Sequence, residues 1–364
     1  MSLMSGTYSY SSLEKKYDNF QVPAAKLNVG GENILARKDI YLDSMNVTLS
    51  LEAAGIASFV ICPEYDSESS SATNDIKSGI TLGKTVTVQL GYGSSLTEVF
   101  KGYIASIKAE YDTDAGISYT ITALDARALM MTDNCRIKSY DIKNYSDAVK
   151  KVLDRYSSLC SAEVDATTEN FDPVFPLRQK NSDYSFIQES IIKDGKVDRE
   201  FFILDDKVYF RTPKKVSSSI ISLSTNAGLK SFERTAEYLD TSFEVYGRKN
   251  GTNDFLSGKA DAKGKEEQTS VLSEKGVKMV ARSGEKEQTK QFLDAIAKNR
   301  AELEMAERQN ASGSCVGLPE IVPGRYISIE KLDPMLNKKY YLYEVTHTYS
   351  QNGFITSFKS KGWE

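Results

Sequence analysis

Two stretches far apart in the chain repeat one pattern, and no other feature narrows the possible folds as much. "GYIASIKAEYDTDAGISYTI" (Gly102 to Ile121) and "YYLYEVTHTYSQNGFITSF" (Tyr340 to Phe358) superimpose with a one-residue difference at the turn. Tyr103 meets Tyr341, Ile104 meets Leu342, Ile107 meets Val345, Tyr111 meets Tyr349, and Gly116 meets Gly353. Side chains alternate between faces along a strand, so each copy reads as two long strands around a turn. Upstream lies a second matched pair, "GKTVTV" from Gly83 and "GRYISI" from Gly324. The interval from glycine to hairpin tyrosine is 28 residues in one copy (83 to 111) and 25 in the other (324 to 349). Two matches in one order at similar spacing indicate two copies of one barrel.

The same alternation fills the chain after Pro23, in "AKLNVGG", "DIYLDSMNVTLSL", "IASFVICP" and "ITLGKTVTVQLGYG", which predicts an antiparallel barrel or sandwich. From Ser139 the period changes. "NYSDAVKKVLDRYSSL" sets Val149, Val152, Leu153 and Tyr156 on one helical stripe, with Ser146 as expected N-cap. "NSDYSFIQESIIKDGK" predicts a second helix capped by Ser182 and stopped by Gly195, and "REFFILDDKVYFRTP" a tight hairpin at Asp205 and Asp206. Strands return at "IISLSTNAGLK". Residues 250 to 284, rich in Gly, Lys, Ser and Glu, are expected to include mobile loop. A helix is expected near 285 to 308, with Phe292, Ile296, Ala297, Leu303 and Met305 inward. The Ser- and Tyr-rich first twenty residues read as an arm ordered only by a partner.

Little conventional enzyme chemistry is available. His347 is the only histidine in 364 residues, and most hydrolase and metal constellations need an imidazole. It shares a strand face with Tyr341, Tyr343, Val345 and Tyr349, and its counterpart in the first copy is Ala109. A position filled by alanine in one copy and histidine in the other reads as packing. No Gly-x-Ser-x-Gly elbow, Walker loop or Rossmann fingerprint occurs. The carboxylate pairs Asp112/Asp114 and Asp205/Asp206 fall in predicted turns, where Asp bonds nearby backbone. The four cysteines, Cys62, Cys135, Cys160 and Cys315, are scattered without a Cys-x-x-Cys pair, which fits idle thiols. A net charge of −4, from 46 basic and 50 acidic side chains, argues against binding nucleic acid or anionic membrane by bulk electrostatics. No apolar run spans a bilayer. No cofactor or metal site is expected. The 21 tyrosines could serve an adhesive surface, although alternating Tyr on strands usually packs across them.

"LGKTVTVQLGYGSSLTEVFKGYIASIKAEYD" resembles the first barrel of the tail-hub family: phage late control protein D, the hub of contractile tails, and the N-terminal part of valine-glycine repeat (VgrG) spike proteins. "LRQKNSDYSFIQESIIKDGK" is similar to the family's Ser-Asp-x-x-Phe helix, "GSCVGLPEIVPGRYISI" to its approach to the second barrel, and "YEVTHTYSQNGFITSF" to its closing hairpin. The resemblance covers about residues 22 to 364. It implies a β-rich α+β fold with two related antiparallel β-barrels, an α+β middle domain and a helical or loop insertion. The expected divisions are an arm (1–21), first barrel (22–130), middle domain (131–213), start of the second barrel (214–250), insertion (251–312) and remainder of that barrel (313–364).

The function so implied is structural and non-enzymatic: a homotrimeric symmetry adaptor in a tail or contractile injection particle, with barrels alternating around a pseudo-sixfold ring. Expected partners are itself, a separate trimeric spike, a tube or tube-initiator protein and baseplate wedges, with the tape measure as a further candidate. Neither nucleic-acid sequence recognition nor a membrane anchor is expected. VgrG proteins continue into a further barrel and needle where this sequence stops at "FKSKGWE", which leads to the expectation of a separate spike. The protein should reside in the producing cell's cytoplasm and then in the assembled particle. Interface residues are expected in the two hairpins: Tyr103, Tyr111, Tyr119, Tyr341, Tyr349 and Phe354. The alternatives are a stand-alone β-rich adhesion module and, behind it, a carboxylate-based cell-wall hydrolase.

Overall fold

In "IYLDSMNVTLS" and "IASFVICP" the alternation becomes burial at every second residue: Met45, Val47, Leu49, Ala57, Phe59 and Ile61 point into a core, their neighbours out of it. The structure, a computed structural model, describes residues 3–66, 71–72, 79–114, 116–132, 138–139, 144–167, 178–193, 197–248, 254–264, 266–281 and 289–364. Cys135 and parts of the 250–284 stretch lie outside the described residues.

Among the described residues six longer strands form the first barrel: β1 (Pro23–Val29), β2 (Ile40–Ser50), β3 (Ile56–Pro63), β4 (Thr85–Tyr92), β5 (Ser95–Asp112) and β6 (Gly116–Leu124). Their order in the sheet is β1-β4-β5-β6-β3-β2. The middle domain contributes β7 (Ser161–Val164), β8 (Glu200–Leu204) and β9 (Lys207–Arg211), a small sheet packed on its own apolar cluster. The second barrel starts with β10 (Ser219–Leu223) and β11 (Leu229–Ala236). An insertion follows, with β12 (Asp240–Arg248), β13 (Phe255–Lys263), β14 (Gly276–Ala281) and the helix Lys290–Glu307. The barrel is completed by β15 (Gln309–Val316), β16 (Tyr326–Ile329), β17 (Lys339–Ser350) and β18 (Gly353–Trp363).

The order in the second barrel is β10-β16-β17-β18-β15-β11, which is the first barrel's order strand for strand. Irregularities repeat too: β5 bulges between Ile104 and Ser106 and β17 between Leu342 and Glu344, while β2 bulges between Leu42 and Ser44 and β11 between Leu229 and Ser231. The one reversal is that β1 runs antiparallel to β4, whereas β10 runs parallel to β16. The fold is therefore β-rich α+β with two related barrels, as the repeat predicts. The barrels also share one sheet, because β2 pairs with β17 from Ser44–Ser350 to Ser50–Glu344.

Several local expectations are corrected. Asn144, not Ser146, caps the helix Tyr145–Leu153: its Oδ1 accepts from Asp147 N at 2.9 Å, and Ser146 Oγ donates to the same oxygen. Ser182 does cap, but after one α turn the segment Phe186–Lys193 continues as a π-helix. Residues 255–263 and 276–281 are strands flanking β12. The insertion sheet thus takes β12, which the sequence reading places with the second barrel. In the helix Lys290–Glu307 the buried stripe is Leu293, Ala297 and Ala301, spaced by four, and Leu303 is exposed.

The arm packs on the chain's own body. Leu3, Met4, Leu13 and Tyr17 are buried, and the helix Tyr10–Lys16 is capped by Ser9. Tyr17 and Phe20 pack on Tyr92 of β4, and Tyr17 donates to Glu320 at 2.6 Å. Arg325 donates to the carbonyls of Leu3 and Gly6. One segment thereby clasps both barrels.

Candidate assembly surface

The outward face of the shared sheet is built by the small polar residues that alternate with the core. Ser231, Ser314, Ser357, Thr346 and Thr48 stand in register across β11, β15, β18, β17 and β2. Ser231 Oγ lies 2.7 Å from Ser314 Oγ, and Thr48 Oγ1 lies 3.1 Å from Thr346 Oγ1. In the adjacent row Ser312 donates to Glu233 at 2.7 Å and Lys359 pairs with Glu344 at 2.7 Å. Part of this face is a shallow groove of about 530 Å³. Hydroxyls satisfied by one another leave a nearly neutral face continuous over both barrels. The sequence reading missed this face, although its signal was present as period-two Ser and Thr in "ASGSCV", "VTHTYS" and "FITSFKS".

Beneath that face, the joint between barrels is closed by His347. It is fully buried opposite Val47, with Nδ1 3.0 Å from Thr356 Oγ1 and its ring 5.9 Å from Phe354. Burial pushes its pKa down to about 3, with the Ile321 backbone opposing the shift, so the ring is neutral at physiological pH. His347 is a packing residue.

The six aromatic residues expected at interfaces separate into two groups. Phe354 is buried, and Tyr341 is nearly so: its hydroxyl donates to Glu200 of β8 at 2.7 Å and accepts from Lys214 N. Glu200 also pairs with Arg211 at 2.6 Å, and Arg211 donates to the carbonyl of Gly324. This buried cluster ties the second barrel to the middle domain. Tyr103, Tyr119 and Tyr349 are half-buried, the last two against the core. Only Tyr111, 66% accessible near the tip of β5, is a large exposed surface.

Asp112 behaves as a turn residue, accepting from Asp114 N at 2.8 Å. Asp205, at the left-handed position of the β8–β9 hairpin with φ 56°, is held among acids. Burial, then Glu98 and Asp206, push its pKa up to about 7. Among the described residues no group of three or more His, Cys, Asp or Glu is placed to hold a metal.

Residues 19–351 match the family described as the Alg8 N-terminal domain. The chain belongs to that family. A comparison with curated proteins finds no match. Among solved structures, this family member is similar to the tail protein from Neisseria meningitidis MC58, with TM-score 0.69 and 13% identity over 94% of this chain and 97% of that one. It is similar to the 43 kDa tail protein of prophage MuSo2 from Shewanella oneidensis, with TM-score 0.67 and 13% identity over 93% and 98%. A third likeness, with TM-score 0.58 and 11% identity over 93% and 77%, is to an Escherichia coli component of the type VI secretion system described as similar to bacteriophage T4 tail proteins. The chain thus has the fold of phage tail and VgrG-related proteins, the resemblance drawn from its sequence.

Proposed function

We propose that this protein is a structural, non-catalytic part of a phage tail or tail-like injection particle, acting as a homotrimeric adaptor. One observation carries the reading: two barrels of one topology lie edge to edge in a shared sheet, in a chain of which 93–94% aligns with the tail-protein fold. Three such chains in a ring present six similar barrels to a hexameric tube while keeping threefold symmetry for a trimeric spike, and closed rings leave few strand edges open. The partners are then a second and third copy, a separate spike, a tube or tube-initiator protein and baseplate wedges, with Tyr111 the exposed aromatic among the expected contacts. Light scattering on a sizing column, alone and mixed with the candidate spike, tests this. A particle of three chains is expected in one sample or both, and a monomer in both overturns the ring.

A further inference from the structure

The stretch "GLPEIVPGR" between β15 and β16 is buried throughout, although it carries two charges, Glu320 and Arg325. The arm satisfies both. Glu320 Oε1 accepts from Lys16 at 2.7 Å and from Tyr17 at 2.6 Å. Arg325 has no carboxylate partner among the described residues; it donates to the carbonyls of Leu3 at 3.2 Å and Gly6 at 2.9 Å, and to that of Ser218. Leu3, Met4, Leu13 and Tyr17 bury the apolar side of the arm. A buried charge stripped of its partners is costly. The groove therefore needs an occupant that brings a cation and a hydroxyl to one end and free carbonyls to the other. Charge complementarity selects the arm's own sequence.

The connection that folds the arm back onto its own chain is strained. Asp18, Asn19 and Phe20 take φ of 45°, 56° and 60°, three successive left-handed residues without a glycine. In L-chains such residues occur singly, because each brings its Cβ against the following carbonyl. Asp18, Asn19, Gln21 and Val22 are exposed, so packing holds the bend only at Phe20, which rests on Tyr92. Straightened, the segment from Asp18 to Val22 reaches about 17 Å. A fitted groove joined to its occupant by a short strained hinge is the arrangement from which copies exchange an element at low cost.

We propose that the arm is exchanged between copies: residues 3–17 of one chain leave their own groove and dock in that of a second copy, with Asp18 to Val22 straightened. The contacts inside the groove are the same in either case. Exchange gains by releasing the left-handed residues and loses only the independent motion of the chains it joins. It goes beyond the ring reading and does not need it, since it joins copies through the arm and not through the barrels.

Thr7 Oγ1 lies 3.5 Å from Ser218 Oγ, with both residues exposed, so this pair reports whose arm fills a groove. In the full chain with Cys62 and Cys135 replaced by Ser, Thr7→Cys chains and differently tagged Ser218→Cys chains are unfolded together in urea, refolded at high concentration and oxidised. A linked species carrying both tags is expected on a non-reducing gel. Asn19→Pro, whose φ near −65° excludes the bend, should raise its share severalfold, and Asn19→Gly, which takes the bend freely, should lower it severalfold. A linked species unchanged by both hinge variants is random collision and overturns the exchange. In the chain carrying both cysteines, linkage across copies should rise with concentration; linkage only within single chains at every concentration leaves each groove to its own arm and overturns it too. Light scattering separates this from the ring. Three chains whose arms link only within each chain refute the exchange and keep the ring, whereas linked pairs with no particle of three keep the exchange and refute the ring.

Discussion

The two barrels have the same strand order and bulges, yet their matched hairpins live in different surroundings. Tyr341, beside the bulge of β17, is drawn into the Glu200–Arg211 cluster, and His347 six residues further along the strand is sealed under β2. Tyr103 and Ala109, the same positions in β5, remain half-buried and exposed. The fold of a duplicated unit is thus fixed by its own alternation, while the use of each position is fixed by what lies against it. That asymmetry can be broken from either side.

The largest effect is expected at Arg211→Ala, which leaves the Glu200 carboxylate buried without its cation. Removing one partner of such a pair costs about 3–5 kcal/mol, read as a lowered urea midpoint. Tyr341→Phe should follow in the same direction, and Tyr103→Phe should be smaller. His347→Ala opens a cavity and should cost about 2–3 kcal/mol, whereas the mirror change Ala109→His should stay within about 0.5 kcal/mol in the isolated chain. Equal effects would show that the joint does not distinguish the hairpins.

The third prediction concerns pH. Asp205 has its folded pKa raised to about 7 from 3.8, so the native state binds more protons and stability falls as pH rises between those values. Asp205→Asn should therefore stabilise by about 2 kcal/mol at pH 8 after allowance for solvent screening, and by little at pH 4. His347 acts oppositely: its folded pKa is lowered from 6.5 to about 3, so stability is lost as pH falls through that window. Urea midpoints against pH for Asp205→Asn and His347→Ala separate the two slopes. The smallest effect is at the turns, where Gly116 (φ 77°) and Gly353 (φ 108°) both occupy a left-handed backbone. Gly→Ala at either should cost about 1 kcal/mol, the same in both barrels if their turns are equivalent.

The duplication was legible because alternation and turn glycines are local signals, and comparing His347 with Ala109 sufficed to read the histidine as packing. Strand partners were not legible. Period two says which face a residue takes but not which strand lies beside it. Hence the β2–β17 joint, the capture of β12 by the insertion and the parallel pairing of β10 were invisible. In the helix Lys290–Glu307 Ala297, Ile296 and Met305 were placed inward as they stand, whereas Leu303 was misplaced and Ala301 missed because an alanine carries less apolar weight than a leucine. The polar face was overlooked because the period-two pattern was read only for strands and their apolar, core-facing positions. The arm was misread because its composition is polar, although Leu13 and Tyr17 supply enough apolar contact to dock.

That arm has a consequence for how the molecule is made. Leu3 is held by Arg325, 322 positions later, so a ribosome delivers almost all of the chain before the clasp can shut. Closing so long a loop is slow relative to forming the hairpins, and its entropic cost must be met by the finished barrels. The clasp therefore acts as a late latch: Tyr17 and Phe20 can rest on Tyr92 early, but the segment locks only after the second barrel has folded, which makes the locked arm a mark of a completed subunit.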